Sequence, residues 1–468
     1  MNTKRITPLF IALVVAIMTF ACGGTAATAT SVPEQPATQA AEVAKPTAET
    51  VSEAAGDLEI ISVTSYVDAY NDYNVAGEIK NNTNRTLENI TLNLSIKDAN
   101  GTSVLTDSSD AAVDSVEIQP FIGTLAPGTG SPFSYYMSID DQAPADFDVS
   151  IASYDQVSAP ELAKIDLANV NSAELDNGNV IITGELVNLS DEQVELESVA
   201  GSMLNEDLQV LGANSSQTYQ RYLYPAGDAD KRDRTPFIVL MYGPLENATR
   251  WKVYARAIES TSTPSEDVQV QWSNSYFDPY GTYHMLGTLT NNGSEQLSPS
   301  LLGSVQSPDQ AILDVASVNV PIYLNAGESV GFDITAFQVM NYIPDDTISG
   351  SDMNVRPDLY WTFPTDYEVV NLTANDVSLT QNDYDWTVRG TVVNTSDKPL
   401  SSVSIVAQIS DASGQLVATN SVGVYPPDGS ETIDPGDSLE FEITLYTPDG
   451  LDLSNLTQQF FVQGIVAQ

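Results

Sequence analysis

Gly77-Glu78-Ile79-Lys80-Asn81, Gly184-Glu185-Leu186-Val187-Asn188, Gly287-Thr288-Leu289-Thr290-Asn291 and Gly390-Thr391-Val392-Val393-Asn394 are four versions of one phrase, spaced 107, 103 and 103 residues apart. A period near a hundred is longer than the units of solenoids and is the size of a β-sandwich. Four positions before the glycines stand Tyr73, Val180, Tyr283 and Trp386, and two before them Val75, Ile182, Met285 and Val388. Two positions after them stand Ile79, Leu186, Leu289 and Val392. Apolar residues at every second position mark the buried face of a strand. The glycine falls on that face, where a missing side chain lets a neighbour approach. The asparagine, followed by Ser, Thr or Gly, predicts a turn that closes the strand.

Two further blocks repeat with the phrase. A strand opening on phenylalanine follows as Phe133-x-Tyr135-x-Met137, Phe237-x-Val239-x-Met241, Phe332-x-Ile334-x-Ala336 and Phe441-x-Ile443-x-Leu445. Turns at Ala126-Pro127-Gly128, Asn325-Ala326-Gly327 and Asp434-Pro435-Gly436 lead into three of them, and a longer loop, Pro225 to Thr235, leads into the second. Each unit then closes on an alternating strand, around Phe147-Ile151, Trp251-Ala255, Leu359-Trp361 and Phe460-Val462. No segment beyond the N-terminal one keeps a 3.6-residue apolar period. Short, turn-punctuated strands of this kind predict an all-β chain of four tandem immunoglobulin-like antiparallel β-sandwiches. The expected sandwiches cover 57–158, 159–262, 263–366 and 367–468.

Leu92-Asn93-Leu94-Ser95-Ile96-Lys97-Asp98-Ala99-Asn100-Gly101 in the first unit is an alternating strand running into an Asp-x-x-Gly turn. Ile405-Val406-Ala407-Gln408-Ile409-Ser410-Asp411-Ala412-Ser413-Gly414 in the fourth does the same. Together with the upstream Gly-x-Val-x-Asn and the downstream Pro-Gly turn, this resembles the FxLYD-type domains of bacterial surface lipoproteins. The signature phenylalanine is replaced by Leu94 or Ala407, and its tyrosine by Lys97 or Ser410. The resemblance covers units one and four and implies an immunoglobulin-like sandwich; it implies no catalytic residue.

The first residues read as an export signal. Lys4 and Arg5 precede a 13-residue stretch from Leu9 to Ala21, apolar except for Thr19. As a helix this would be about 20 Å long at roughly 1.5 Å per residue, too short for a bilayer core and suited to a signal segment. It ends at Cys22, the only cysteine, before Gly23-Gly24. This resembles a bacterial lipoprotein signal, with Thr19 where that family usually has leucine. The resemblance implies lipidation of Cys22 and an extracytoplasmic chain anchored to the membrane. Residues 23–56, rich in Ala, Thr, Glu, Pro, Ser and Val, lack the bulky apolar side chains needed to offset ordering entropy, and predict a disordered tether.

Without Lys4 and Arg5 the chain carries 15 basic and 63 acidic residues. Such a balance argues against nucleic acid as a partner and against lying on an anionic membrane surface. With one cysteine there is no intramolecular disulfide, so hydrophobic cores must hold the units together.

Chemistry-bearing residues are sparse. Gly327-Glu328-Ser329-Val330-Gly331 has the form of a hydrolase elbow, yet it follows a turn and opens a strand, whereas the elbow follows a strand and opens a helix. His284, the only histidine, alternates with core residues Tyr283 and Met285 and is expected to be exposed on the outer face. Asp228, Asp230 and Asp233 sit among Lys231, Arg232 and Arg234, where local ion pairing is the simpler reading. Asp107, Asp110 and Asp114 share a loop. These acidic groups make weak calcium binding a possible property. Tyr276, Phe277 and Tyr280, around Asp278-Pro279, are expected on a loop where aromatic rings could meet a sugar or a protein partner.

These readings converge on a non-catalytic, lipid-anchored envelope protein without cofactor, acting as a spacer or as a protein-interaction or adhesion module. The partner would be an envelope protein or a glycan. The competing reading is a glycan-binding or glycan-acting extracellular protein that uses the exposed aromatics and carboxylates.

Overall fold

A computed structural model describes residues 48–49 and 56–467, apart from 69, 110, 140–143, 159–161, 176–177, 217–218, 230–231, 244, 246, 263–266, 309, 338–353, 366, 383–384, 427–429, 449–450 and 452–455; along 354–364 only the backbone is described. Cys22, the signal segment, most of the expected tether, Asp110 and Asp230 lie outside these residues. The described chain is built of antiparallel strands and contains no helix.

The sheets come in repeating pairs. In one sheet of each repeat a leading strand (Leu58–Val67, Ile165–Glu174, Val268–Phe277, Ala374–Gln381) pairs with the signature strand that carries the repeated phrase (Asp72–Asn81, Val180–Asn188, Tyr283–Asn291, Asp385–Val393). The signature strand pairs in turn with a phenylalanine strand (Gly130–Ser138, Arg234–Met241, Ser329–Ala336, Ser438–Tyr446). In the facing sheet a central strand (Thr86–Asp98, Val194–Leu204, Leu297–Gln306, Leu400–Ser410) pairs with a closing strand (Pro144–Val157, Arg250–Glu259, Asn354–Pro364, Thr457–Val466). In repeats two to four the central strand also pairs with what we call the crossing strand (Val210–Ser215, Ile312–Asn319, Leu416–Val424). In the first repeat the chain leaves this path. It forms a small hairpin of Leu105–Thr106 with Ala112–Val113, then Val116–Ile118 against the central strand.

Between the paired sheets lie four large apolar clusters, each drawing alternate residues from both. The repeated phrase is explained at both its ends. A Cβ on Gly77 or Gly287 would lie 2.4 Å from Cζ of Phe133 or Phe332, so the ring of the phenylalanine strand occupies the place of the missing side chain. Phe237 and Phe441 cover Gly184 and Gly390 in the same way. A β-bulge interrupts each leading strand opposite this point; bulges bend a strand and increase its twist.

The asparagine does more than end a strand. Asn81, Asn188, Asn291 and Asn394 are buried, and each Nδ2 donates to two carbonyls: Arg85 and Leu125, Glu192 and Tyr224, Glu295 and Leu324, Lys398 and Ile433. Each Oδ1 accepts from the backbone N–H two residues on, in Thr83, Ser190, Gly293 or Ser396. The side chain thus pins its own turn to the loop before the phenylalanine strand.

One expectation needs correction. Ala48–Glu49 pairs antiparallel with Thr64 and Val63 of the first leading strand. Strand pairing therefore begins inside the segment read as a disordered tether, because the outer edge of that leading strand is free to accept it.

Candidate functional site

The signature strands of repeats one to three are buried on both faces; that of the fourth is not. The second face is covered by the next repeat, and the same surfaces meet at every junction. The crossing strand of one repeat lies over the sheet of leading, signature and phenylalanine strands of the repeat before it.

At the first junction Val210 packs with Ala76, Leu204 and Ala213 beside Tyr66 and Phe121. Its carbonyl accepts from Thr64 Oγ1 at 2.7 Å, and its N–H donates to Ser62 Oγ at 2.9 Å. Lys252 Nζ reaches Glu78 Oε2 at 2.9 Å, and the Glu78 side chain is 7% exposed. At the second junction Ile312 packs with Leu302 and Val315 against Ile238, and its carbonyl accepts from Thr183 Oγ1 at 2.7 Å. At the third, Leu416 packs on Tyr276 and Leu286. Gln463 there holds the backbone N–H and carbonyl of Tyr323 at 2.8 and 3.0 Å, and Gly331 N–H donates to Gln408 Oε1 at 3.0 Å.

The third junction also holds the chain's histidine. Sequence alternation put His284 on the correct face but gave the wrong exposure: its side chain is 1% exposed, because the fourth repeat covers that face. Nδ1 lies 2.6 Å from Asp333 Oδ2 on the adjacent phenylalanine strand, and Nε2 lies 3.3 Å from Asp278 Oδ2 in the turn after the leading strand. Tyr276 stacks on the ring at 5.0 Å, and Tyr446 of the fourth repeat lies 5.7 Å away. Burial pushes the imidazole pKa down, but the hydrogen bonds and charges of Asp333 and Asp278 outweigh it, so the histidine holds its proton above its ordinary range. Burial lifts Asp333 above the usual carboxylate range.

Both ring nitrogens face carboxylates, which leaves neither free to take a proton from a substrate or to bind a metal. The first repeat has a neutral counterpart, in which Asn74 Nδ2 donates to Asp68 Oδ2 at 3.0 Å from the same strand position. The site is thus a variant of a turn-holding contact.

The three aromatics expected on an open loop are split. Tyr276 and Phe277 end the leading strand; Tyr276 is buried with its hydroxyl donating to Tyr446 O at 2.8 Å, and Phe277 packs on Tyr283. Tyr280 alone is exposed, edge-on to Tyr446 at 6.0 Å. A β-bulge between Trp272 and Asn274 shifts the leading strand's alternation by one and sets Tyr276 opposite His284 on the outer face, and the strand runs to Phe277, up to Asp278-Pro279.

Ser329 of the elbow-like sequence begins the phenylalanine strand, and its hydroxyl meets Thr290 Oγ1 at 2.8 Å. Gly327 has φ +77°, as Gly128 does, so both occupy the same kind of turn. Asp228 is engaged by Arg232 at 3.0 Å and Asp233 by Arg234 at 3.2 Å. Asp107 accepts from the Ser109 hydroxyl and from the N–H groups of Ser109 and Ala111, which in that order lower its pKa. Among the described residues no three His, Cys, Asp or Glu side chains are grouped as metal ligands.

The junction residues Val210, Ile312 and Leu416 were not found from the sequence. Their signal is the loss of polar alternation on the signature strand, where Ala76, Ile181 and Leu286 occupy positions of the outer face.

No family model matches the chain. No curated protein matches it. Among solved structures it is similar to a calcium-binding mutant of Bacteroides uniformis beta-glucuronidase 2, at 12% identity and TM-score 0.11, over 58% of this chain and 29% of that one. It is also similar to E. coli alpha-2-macroglobulin in its native conformation, at 11% identity and TM-score 0.12, over 86% and 28%. A third is dimeric latent PorU from Porphyromonas gingivalis, at 13% identity and TM-score 0.12, over 68% and 36%. The chain therefore spans well under half the length of each.

Proposed function

We propose that this chain is a lipid-anchored envelope protein whose four repeats, 57–158, 159–262, 263–366 and 367–468, form a non-catalytic arm. The arm sets the position of an interaction or adhesion surface relative to the membrane. The observation that carries this reading is the recurring junction. A chain whose repeats only had to fold would not need to bury the outer faces of three signature strands, and flexible beads would leave them polar. Interdomain contacts of this kind suppress the relative motion that is the default for tandem domains. Like charge on every repeat adds to the separation of surfaces that are not in contact. Lipidation of Cys22 would supply the anchor, since two or more acyl chains hold a protein stably at a bilayer, and would place the arm outside the cytoplasm. An envelope protein is the proposed partner. The glycan reading takes second place, because only Tyr280 of its three aromatics is exposed. Weak calcium binding by the acidic surface is compatible with either.

Two measurements test the proposal. The native chain should partition into detergent and carry added lipid mass at Cys22, and Cys22→Ser should do neither. Spin labels on exposed strand positions of the first and fourth repeats should give a narrow distance distribution that salt leaves unchanged. A broad distribution that shortens as salt rises would mean independent beads and would remove the rigid arm.

A further inference from the structure

Each internal junction joins two unlike surfaces, the outer face of one repeat and the crossing strand of the next. Such head-to-tail contacts can continue from molecule to molecule unless something stops them. Among the described residues one copy of each surface is left without such a partner. The fourth repeat presents an uncovered outer face, and the first presents the segment that corresponds to a crossing strand.

Both ends differ from the internal junctions at the positions that make contact. On the outer face, the position before the repeated glycine is Ala76, Thr183 or Leu286 where a neighbour covers it, and Arg389 where none does. Arg389 Nε pairs with Glu442 Oε2 at 2.8 Å on the adjacent strand, and the two side chains are 59% and 55% exposed. At the other end, register identifies the matching residues. Leu204 pairs with Val210, Gln306 with Ile312 and Ser410 with Leu416 across the central and crossing strands. In the first repeat the bridge across the same kind of turn is Lys97 to Ser103. Ser103 thus stands where the junctions have Val210, Ile312 or Leu416, and its hydroxyl donates to Val113 O at 2.6 Å within its own hairpin. Lys97 stands where the first junction has Leu204, which shares one apolar cluster with Ala76.

We propose that Arg389 at one end, and Lys97 with Ser103 at the other, are caps that stop copies of this chain from joining end to end through the surfaces that join its own repeats. If the fourth repeat of one copy docked onto the first repeat of another in the internal geometry, Arg389 would take the place of Ala76 and Lys97 that of Leu204. Two cations would meet in a contact that buries Ala76 and Leu204 at the first junction and holds no charged side chain at these two positions in the others, and such a pair is strongly unfavourable when desolvated. Polar terminal faces keep repeat arrays soluble in the same way.

The test uses the full chain in mild detergent, followed by sedimentation velocity from micromolar to near-millimolar concentration. High salt is included to screen the overall negative charge. The wild type should stay monomeric. So should Arg389→Ala alone, and Lys97→Leu with Ser103→Val alone, because each keeps one cap. Mixing those two variants should give a one-to-one dimer and nothing larger. Combining all three substitutions in one chain should give a concentration-dependent series of oligomers. Arg389 and Lys97 are exposed, and unchanged melting temperatures of the variants check that folding is kept; Arg389→Thr, which copies the second repeat, serves as a second uncapping variant. Monomers throughout, including the triple variant at high salt, would overturn the proposal, as would a wild type that already associates and loses the association on Arg389→Ala.

Discussion

Replacing Gly287 by alanine puts a methyl carbon where the structure has none to spare. The new Cβ would lie 2.4 Å from Phe332 Cζ and 2.7 Å from the backbone oxygen of Gln271. The ring can tilt, but the carbonyl belongs to the bulged leading strand and cannot move alone. Overpacking a core typically costs about 1–3 kcal/mol, and contact with backbone places Gly287→Ala at the upper end, about 2–3 kcal/mol. Gly184 is the internal control. Its Cβ would meet Val170 Cγ2 at 2.9 Å and Phe237 Cε1 at 3.0 Å, both side-chain atoms that can give way. Gly184→Ala should therefore cost only about 1 kcal/mol. Hydrogen exchange with mass spectrometry reads each repeat separately, which a single melting curve of a multidomain chain does not. The slowest amides of the third signature strand should exchange about thirtyfold faster or more in Gly287→Ala, and those of the second about fivefold faster in Gly184→Ala, at about 1.4 kcal/mol per tenfold. Trimming the ring with Phe332→Leu should recover part of the loss, since the clash with Gln271 remains. A Gly287→Ala effect no larger than that of Gly184→Ala would refute the idea that ring and bulge together impose the glycine.

Asn394→Ala should destabilise the fourth repeat by about 2 kcal/mol, because one buried carbonyl, one half-buried carbonyl and one N–H lose their partner, and exchange near Lys398 and Ile433 should show it. The His284 contact should weaken as pH rises. A folded pKa raised above the ordinary 6.5 means that the folded state binds more protons than the unfolded one. The contribution is complete below about pH 6.5 and is lost as pH passes the raised folded value; Asp333, also raised, acts in the same direction. Protection of the third repeat should thus fall from mildly acid to alkaline pH, and His284→Gln should flatten that profile. Tyr276→Phe should cost about 1 kcal/mol and loosen only the third junction, read as faster exchange in the two strands that meet there. Millimolar calcium should raise the melting temperature no more than sodium at equal ionic strength, since Asp228 and Asp233 are already paired with arginines; a large calcium-specific shift lost on Asp228→Ala would contradict that reading.

The all-β class and the core face of each signature strand were legible in the sequence, because a strand's alternation is a local property that one buried face imposes. Tyr73, Val75 and Ile79 are buried on the face that period two assigned to them, and the phenylalanine of the next block fills the space above each glycine. The asparagine was visible as a mark, but its role as a clamp was not, since the carbonyls of Leu125, Tyr224, Leu324 and Ile433 lie tens of residues away. Only the tertiary structure decided what happens on the other face. His284 was read as exposed, and Tyr276 and Phe277 as loop residues, because one repeat taken alone presents those positions to water or at a turn. Their burial comes from Leu416 and Tyr446, more than a hundred residues on, and from core packing that local pattern does not encode. The junctions escaped the sequence for the same reason: an apolar residue on a strand's second face says that something covers it, and only the docked neighbour says what.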